Sequence, residues 1–183
     1  MADSSITKRA LAAAMKQLMS EMPFDKINIV HICERCGMNR KSFYYHFRDK
    51  YDLVNWIYDT EFIALASKKA YPSGWDFLTD LCQYLYTERT FYRRALKIKG
   101  QNSFSDHFTE LLQPVLVEYL KEIFGSSISD FHVLFFSDAF TGTIKRWILE
   151  MDGVNAEGFI ALLQSILQQT ASHVVLHELQ KSD

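Results

Sequence analysis

The chain has 183 residues, 48% of them hydrophobic and 14% aromatic, and its formal net charge at pH 7 is −2. This is enough to build one small domain and a helical body around a continuous core. We find no apolar run of membrane-spanning length and no basic-then-apolar leader, which argues against a membrane role. The three cysteines fit a reducing compartment. We therefore expect a cytoplasmic protein without membrane association.

The charge is distributed unevenly along the chain. Residues 1–50 contain nine Lys and Arg against five Asp and Glu, net +4, whereas the other 133 residues contain 11 against 17, net −6. A protein with this pattern would approach nucleic acid through its N-terminal part alone. Specific contacts and dimerisation would then supply most of the affinity.

Hydrophobic periodicity and the positions of Gly and Pro predict an all-α fold of about nine helices. The first runs from Ser5 to Glu21, and two short helices follow between residues 28 and 48. The other predicted helices span residues 49–70, 75–87, 90–97, 103–124, 129–151 and 156–180. Pro114 lies inside one of them and predicts a kink. The expected domains are a three-helix helix-turn-helix domain at 1–50 and a helical regulatory and dimerisation domain at 51–183.

Residues 28–54 are the most informative segment, because their pattern is typical of two short helices joined by a glycine turn and followed at once by a third. Asn28, Asn39 and Asp49 each have the side-chain chemistry of an N-cap. Gly37 suits the left-handed residue that ends a helix, where a Cβ would be strained. This arrangement places a helix in the major groove of DNA.

The second short helix has two different sides. On a wheel of about 100° per residue, Phe43 and Phe47 share one arc, which predicts contact with a core. Lys41, Tyr44 and Tyr45 share another arc and offer cationic and phenolic groups to phosphates and base edges. We also expect Lys50, in the first turn of the next helix, to hold a phosphate together with backbone N–H groups. The candidate DNA-binding residues are Asn28, Asn39, Arg40, Lys41, Ser42, Tyr44, Tyr45, His46 and Lys50.

The spacing of these residues resembles the TetR family of bacterial transcriptional regulators. In that family a threonine-led helix, an alanine-glycine turn and a tyrosine-rich helix precede a Phe, a polar link and a Lys. Asn28 stands where Thr is usual and Cys36-Gly37 where Ala-Gly is usual, while 44–47 and Lys50 match the pattern. The resemblance implies a homodimeric, sequence-specific DNA-binding regulator on a palindromic operator. A helical hairpin that only packs is the alternative.

The last two predicted helices carry apolar faces wider than one small domain readily covers. One interpretation is ordinary core. The other, which the family resemblance also implies, is a four-helix interface built from two helices of each subunit. The candidate interface residues are Phe135, Gly142, Thr143, Trp147, Leu163, Ile166, Thr170 and Val174.

The C-terminal part also resembles a subgroup of that family, the activators of dihydroxyacetone kinase operons. The resemblance rests on the spacing of Trp75, Leu81, Tyr84-Leu85, Phe91-Tyr92, Asn102-Ser103-Phe104, Phe140, Ile144 and Trp147-Ile148. It implies control by a kinase-like protein partner, so that the chain could act mainly as a co-regulator. The usual family mechanism, in which a small ligand moves the fourth helix, stays open beside it. Candidate ligand-binding residues are Tyr84, Phe104, His107, Phe108, Phe136 and Phe140, which could equally be core.

Other patterns give little support for chemistry. Cys33-x-x-Cys36 matches half a zinc site, but no second close pair accompanies it, so small core residues are expected instead of a metal centre. A cationic stretch made of Arg89, Arg93, Arg94, Lys97 and Lys99 is either a solvated helix face or a surface for an anionic ligand or acidic partner. We see no nucleophile elbow or phosphate-binding glycine loop. We therefore expect no catalytic residue, no cofactor and no enzymatic activity.

Overall fold

A computed structural model describes residues 2–100, 102–124 and 129–179, with side chains described for 4–100, 102–120 and 129–169. In this part of the chain every regular element is helical, and we count nine α-helices, which confirms the predicted all-α class. None of them is both long and apolar enough to cross a bilayer. The helices are α1 (Ala2–Glu21), α2 (Ile29–Arg35), α3 (Arg40–His46), α4 (Lys50–Tyr58), α5 (Gly74–Thr87), α6 (Arg89–Ala95), α7 (Phe104–Phe124), α8 (Asp130–Glu150) and α9 (Ala156–Leu179).

Helix α1 is the centre of the N-terminal part. It packs against α2, α3 and α4, and also against α6. Its inward side chains Leu11, Met15, Leu18 and Met19 are almost completely buried. We call α1–α3 the head and α5–α9 the body, and α4 joins them because it contacts both α1 and α7. The head therefore rests directly on the body through α1.

Helix α4 is not regular throughout. After Tyr58 it passes into a π turn (Asp59–Ile63) and ends with one α turn (Ala64–Ala66). The sequence prediction of one helix to Ala70 missed this turn and placed the end four residues too late. In a π turn each hydrogen bond spans five residues where an α-helix spans four, and such turns are frequent at functional sites.

Gly74, the first residue of α5, lies at a capped helix start and at a close contact between two helices. Ser73 caps α5 by accepting a hydrogen bond from the Asp76 N–H at 3.3 Å. A Cβ on Gly74 would lie 2.6 Å from Cγ of Tyr119 on α7, so glycine permits this close helix contact. Helix α7 itself continues across Pro114 from residue 104 to residue 124.

The arginines of α6 have a role that the sequence did not indicate. Arg89 Nη2 donates to the Trp147 carbonyl at 2.8 Å, and Arg93 Nη2 donates to the Leu149 carbonyl at 2.9 Å. Both carbonyls lie in the last turn of α8, where cations are favoured, and the Trp147 carbonyl also accepts a hydrogen bond from the Met151 N–H at 3.1 Å. Neither expected role of this stretch, a solvated face or a ligand surface, describes these two residues. They cap α8 instead.

Candidate DNA-binding surface and regulatory body

The turn between α2 and α3 follows the predicted local chemistry. The Asn28 Oδ1 atom accepts a hydrogen bond from the His31 N–H at 2.9 Å, and Asn39 Oδ1 accepts one from the Ser42 N–H at 2.9 Å. Gly37 has φ +67°, the left-handed conformation that favours glycine. Both caps and the glycine turn are confirmed. Ser42, half-buried, is engaged with the Asn39 cap.

Helix α3 is anchored on one side and exposed on the other. Phe43 and Phe47 are 0% and 3% exposed, whereas Tyr44 and Tyr45 are 50% and 81% exposed. Lys41 is also exposed. The predicted orientation of the helix is therefore confirmed, while its contact with DNA stays a prediction.

The remaining polar groups of α3 are arranged around the tyrosines. The Arg40 guanidinium lies 5.9 Å from the centre of the Tyr44 ring, which places a cation beside an exposed aromatic face. His46 is half-buried, and its ring meets the edge of Tyr45 at 4.9 Å. These contacts place Arg40 and His46 beside the exposed tyrosines.

Lys50 has a structural role that the sequence did not indicate. Its ammonium donates to the Phe24 and Ile27 carbonyls at 2.8 Å each and lies 4.2 Å from the centre of the Phe24 ring. Burial lowers the pKa of the Lys50 ammonium, and the negative charge of Asp25 opposes this shift. Two of its three protons are thus used to fix the segment between α1 and α2, which leaves one for a phosphate.

The N–H groups at the start of α4 are occupied as well. Asp49 Oδ1 accepts hydrogen bonds from the N–H groups of Tyr51 and Asp52 at 2.8 and 2.9 Å. Asp49 is therefore the predicted N-cap. A carboxylate therefore already bonds to two N–H groups at this helix end, and phosphate binding by Lys50 stays a prediction.

Several large apolar side chains on α8 and α9 are exposed, in contrast to the buried core. Of the other residues expected at the interface, Gly142 and Thr143 on α8 are exposed, and Leu163 on α9 is half-buried. The side chains of Thr170 and Val174, also expected at the interface, lie outside the described residues. We call the following set the apolar surface: Phe131, Leu134, Phe135, Leu162 and Ile166, which are 72%, 51%, 57%, 48% and 60% exposed.

Trp147 was expected at this interface and lies instead inside a single chain. It is 0% exposed, and its ring stacks on Phe159 at 4.4 Å and on Tyr86 at 6.0 Å. Its indole N–H donates to the Val154 carbonyl at 2.8 Å. The prediction failed for Trp147 because its partners come from α5, α9 and a loop, which helical periodicity in α8 does not reveal.

The candidate ligand-binding aromatics are not assembled around one pocket. Phe104 and Phe108 are each 1% exposed and pack on Tyr58 at 5.5 and 5.7 Å. Tyr84 donates to Glu61 and is hydrogen-bonded to the Tyr92 hydroxyl at 2.7 Å. The core interpretation, left open by the sequence, describes Phe104 and Phe108.

The other three candidates have different partners. Phe140 meets Trp75 at 6.4 Å and Phe136 meets Phe135 at 5.3 Å. His107 bonds to Asp59 at 2.6 Å and lines a crevice of about 310 Å³ between α4 and α7. The crevice is mainly acidic: its lining includes Asp49, Asp52, Asp59, Asp106 and Glu110.

Cys33 of α2 and Cys36, the residue that follows α2, both belong to the head. Cys33 is buried in its core, and the Cys36 thiol donates to the Ile32 carbonyl at 3.2 Å. Burial raises the pKa of both thiols, which keeps them protonated. In the described part of the chain, no three His, Cys, Asp or Glu side chains are placed to hold a metal ion.

Two family comparisons cover most of the chain. The family described as "Bacterial regulatory proteins, tetR family" matches residues 10–57, and the family described as "Transcriptional regulator C-terminal region" matches residues 75–169, more than half of the chain. The HTH-type dhaKLM operon transcriptional activator DhaS of Lactococcus lactis subsp. lactis (strain IL1403) is 27% identical over 135 residues. That alignment covers 72% of this chain and 69% of DhaS.

Solved structures show the same fold. A dihydroxyacetone kinase operon activator DhaS superposes with a TM-score of 0.66 at 20% identity, covering 93% of this chain and 97% of that one. A TetR transcriptional regulator from Streptococcus agalactiae 2603V gives 0.69 at 19% identity, covering 90% and 94%. NalD, the secondary repressor of the MexAB-OprM multidrug efflux pump in Pseudomonas aeruginosa, gives 0.65 at 16%, covering 92% and 97%. The matched families and the DhaS relative are transcriptional regulators, not enzymes. This chain therefore belongs to the TetR family of transcriptional regulators, with a body similar to that of DhaS.

Proposed function

We propose that this regulator binds a specific, palindromic DNA operator as a homodimer and inserts α3 of each head into the major groove. The observation that carries the proposal is the exposure of Tyr45 and Tyr44 above buried Phe43 and Phe47. An apolar anchor holds the helix to the head while its polar side stays open to base edges and phosphates. Lys41 and Arg40 supply the cations on that side. Lys50 is secondary, because its ammonium already bonds to two carbonyls.

Dimerisation through α8 and α9 is supported by the apolar surface. Its five large side chains are each about half exposed or more within one chain, and Gly142 would allow close approach of a second helix. An isologous pairing of these two helices gives a four-helix bundle and a two-fold axis. That axis is what makes the operator palindromic, since each half-site meets the same reading surface.

Control of DNA binding is assigned to the body, by either a small ligand or a protein partner. Phe104 and Phe108 already pack in the core, so a ligand pocket among them would require these side chains to move apart. Similarity to an activator of a dihydroxyacetone kinase operon supports the second candidate, a co-regulator that responds to a kinase-like protein. In both cases the effector must bind the two head arrangements with different affinity.

Selection of DNA from a random pool tests the first part directly. We expect an enriched inverted repeat, bound by two chains in a complex whose mass is measured by light scattering. Phe135→Asp should give monomers and lose the inverted repeat, because it places a charge in the apolar surface. Leu65→Asp is the matched control, since Leu65 is 62% exposed but lies at the end of α4. Selection without enrichment would refute the proposal.

The two modes of control can be separated with the same operator. Dihydroxyacetone is added first to the regulator alone and then together with the kinase-like protein encoded nearest the selected operator. A change in operator affinity with the regulator alone supports direct sensing. A change only in the presence of the second protein supports the co-regulator.

A further inference from the structure

We propose that Lys16 is a positioning residue that sets the orientation of the DNA-reading head on the body, acting through Glu61 and Glu88. Its ammonium lies 2.9 Å from a carboxylate oxygen of each glutamate. Lys16 belongs to α1, Glu61 to the π turn of α4, and Glu88 to the junction of α5 and α6. One cation therefore joins the head, the connecting helix and the body. We call the contact of Lys16 with Glu61 and Glu88 the joint. The consequence for DNA reading rests on the proposed function, whereas the joint itself does not.

The surroundings make this joint stronger than a surface ion pair. The Lys16 side chain is 23% exposed, and its ammonium lies 5.9 Å from the centre of the buried Phe91 ring. Burial lowers the pKa of Lys16, but the hydrogen bonds to Glu61 and Glu88 outweigh it and leave the pKa raised. A half-buried cation between two carboxylates is held more firmly than an exposed pair, which contributes little.

The joint continues into the aromatic core of the body. The Tyr84 hydroxyl donates to the same Glu61 carboxylate oxygen at 3.1 Å and is hydrogen-bonded to the Tyr92 hydroxyl at 2.7 Å. Burial raises the pKa of Tyr84 well above its ordinary value, so it remains a neutral donor. A movement of α5 or α6 would therefore displace Glu61, and Lys16 would lose or change one of its two carboxylate contacts.

The π turn makes the position of Glu61 sensitive to the state of α4. Each residue turns a helix by about 100°. If the π turn changed to α geometry, the side chains around it would therefore point in different directions. Asp59, the first residue of the π turn, is bonded to His107 of α7, and Glu61 is bonded to Lys16 and Tyr84. These contacts hold the turn from both sides. A shift of α4 would break the contact of Glu61 with the head.

A second tie between the head and the body lies near this joint. The Arg94 Nη1 atom of α6 donates to the Met22 carbonyl at the end of α1 with a distance of 2.8 Å. It fixes the C-terminal end of α1, whereas Lys16 fixes its middle. Loss of Lys16 alone should therefore leave the head attached but free to change its angle.

The test measures the head-to-body distance in the DNA-free protein. Spin labels are placed on Glu34→Cys of α2 and Glu157→Cys of α9, both exposed, with Cys36 replaced by Ala and the buried cysteines retained. Labelled protein is diluted with unlabelled protein so that only distances within one chain are seen. We expect one narrow distance distribution in the parent and a broadened, shifted distribution in Lys16→Met.

Three further variants separate positioning from general stability. Lys16→Arg should restore the narrow distribution, because a guanidinium can reach both carboxylates. Lys26→Met, the same change at an exposed lysine of the head, should leave it narrow. Glu61→Gln should broaden it as Lys16→Met does. Far-UV circular dichroism confirms that each variant is folded.

The outcome for DNA binding is then read separately. On the selected operator, Lys16→Met should tolerate altered half-site spacing that the parent rejects. A narrow, unshifted distribution in both Lys16→Met and Glu61→Gln would overturn the proposal, whatever the DNA result. Failure of the parent to bind any DNA would refute the proposed function and leave the distance result standing.

Discussion

The Trp147 indole of α8 stacks on the Phe159 ring of α9 with ring centroids 4.4 Å apart and planes 4° from parallel. This contact holds the last two helices together within one chain, close to the loop between them. Helical periodicity in α8 had placed Trp147 and Phe135 at the same interface, but the two residues have different surroundings. Trp147 is fully buried within the subunit, while Phe135 on the same helix is 57% exposed.

Trp147→Ala should therefore destabilise the subunit itself. Removing a fully buried tryptophan takes away its ring contacts and leaves the Val154 carbonyl without its donor. The expected loss is about 3–5 kcal/mol of unfolding free energy, measured by urea denaturation. Phe135→Ala, at an exposed site, should change the unfolding free energy much less when both variants are measured at a dilution that gives monomers. Equal losses at the two positions would contradict the assignment of Trp147 to the core.

Gly37→Ala should weaken the head through backbone strain alone. The residue has φ +67°, and a Cβ added there would have no atom within 4 Å, so no clash contributes. The expected cost is about 1–2 kcal/mol in the free energy of unfolding. Gly37→Asn should cost less, because asparagine tolerates this conformation better. Gly74→Ala is the contrasting case, since its Cβ would clash with Tyr119.

Asn39→Ala should remove the N-cap of α3. The Asn39 side chain satisfies the Ser42 N–H, and loss of such a cap costs about 0.5–2 kcal/mol. Asn39→Ser should retain most of the stability because its hydroxyl can accept the same bond. Hydrogen exchange at the first turn of α3 gives the measurement. Unchanged protection in Asn39→Ala would show that the cap is unimportant.

Stability should fall at alkaline pH, and the three buried or half-buried thiols should begin the fall, with the largest contribution from Cys82. Burial raises the pKa of this thiol from 9.0 to about 12, and burial together with Asp80 raises that of Tyr71 from 10.0 to about 12. The unfolded chain loses these protons first, so the stabilisation is complete below pH 9 and is lost as the pH rises toward 12. Urea titrations between pH 8 and 10 should show the decrease. Cys82→Ala should make the decrease shallower between pH 9 and 10, and an identical slope in this variant would contradict the assignment.

Local sequence signals predicted the head well because its geometry depends on neighbours in the chain. Asn28 and Asn39 bond three residues ahead, Gly37 ends a helix, and Phe43 and Phe47 are one helical turn apart. Each of these features follows from a rule about nearby residues, so the sequence was sufficient.

Features that depend on distant residues could not be predicted in this way. Lys50 bonds to carbonyls more than 20 residues earlier, and Trp147 stacks on α5 and α9. The joint at Lys16 requires α1, the π turn of α4 and the end of α5 to meet in space. A single lysine inside an amphipathic helix gives no sign of that meeting.

The salt dependence of operator affinity in the parent and in Lys41→Ala tests the central claim, that the exposed side of α3 contacts DNA. If Lys41 holds a phosphate, its loss should lower the slope of log affinity against log salt by about one per subunit, while the unfolding free energy stays the same. Tyr45→Phe should weaken binding without this change in slope. An unchanged slope and unchanged affinity in Lys41→Ala would contradict the account.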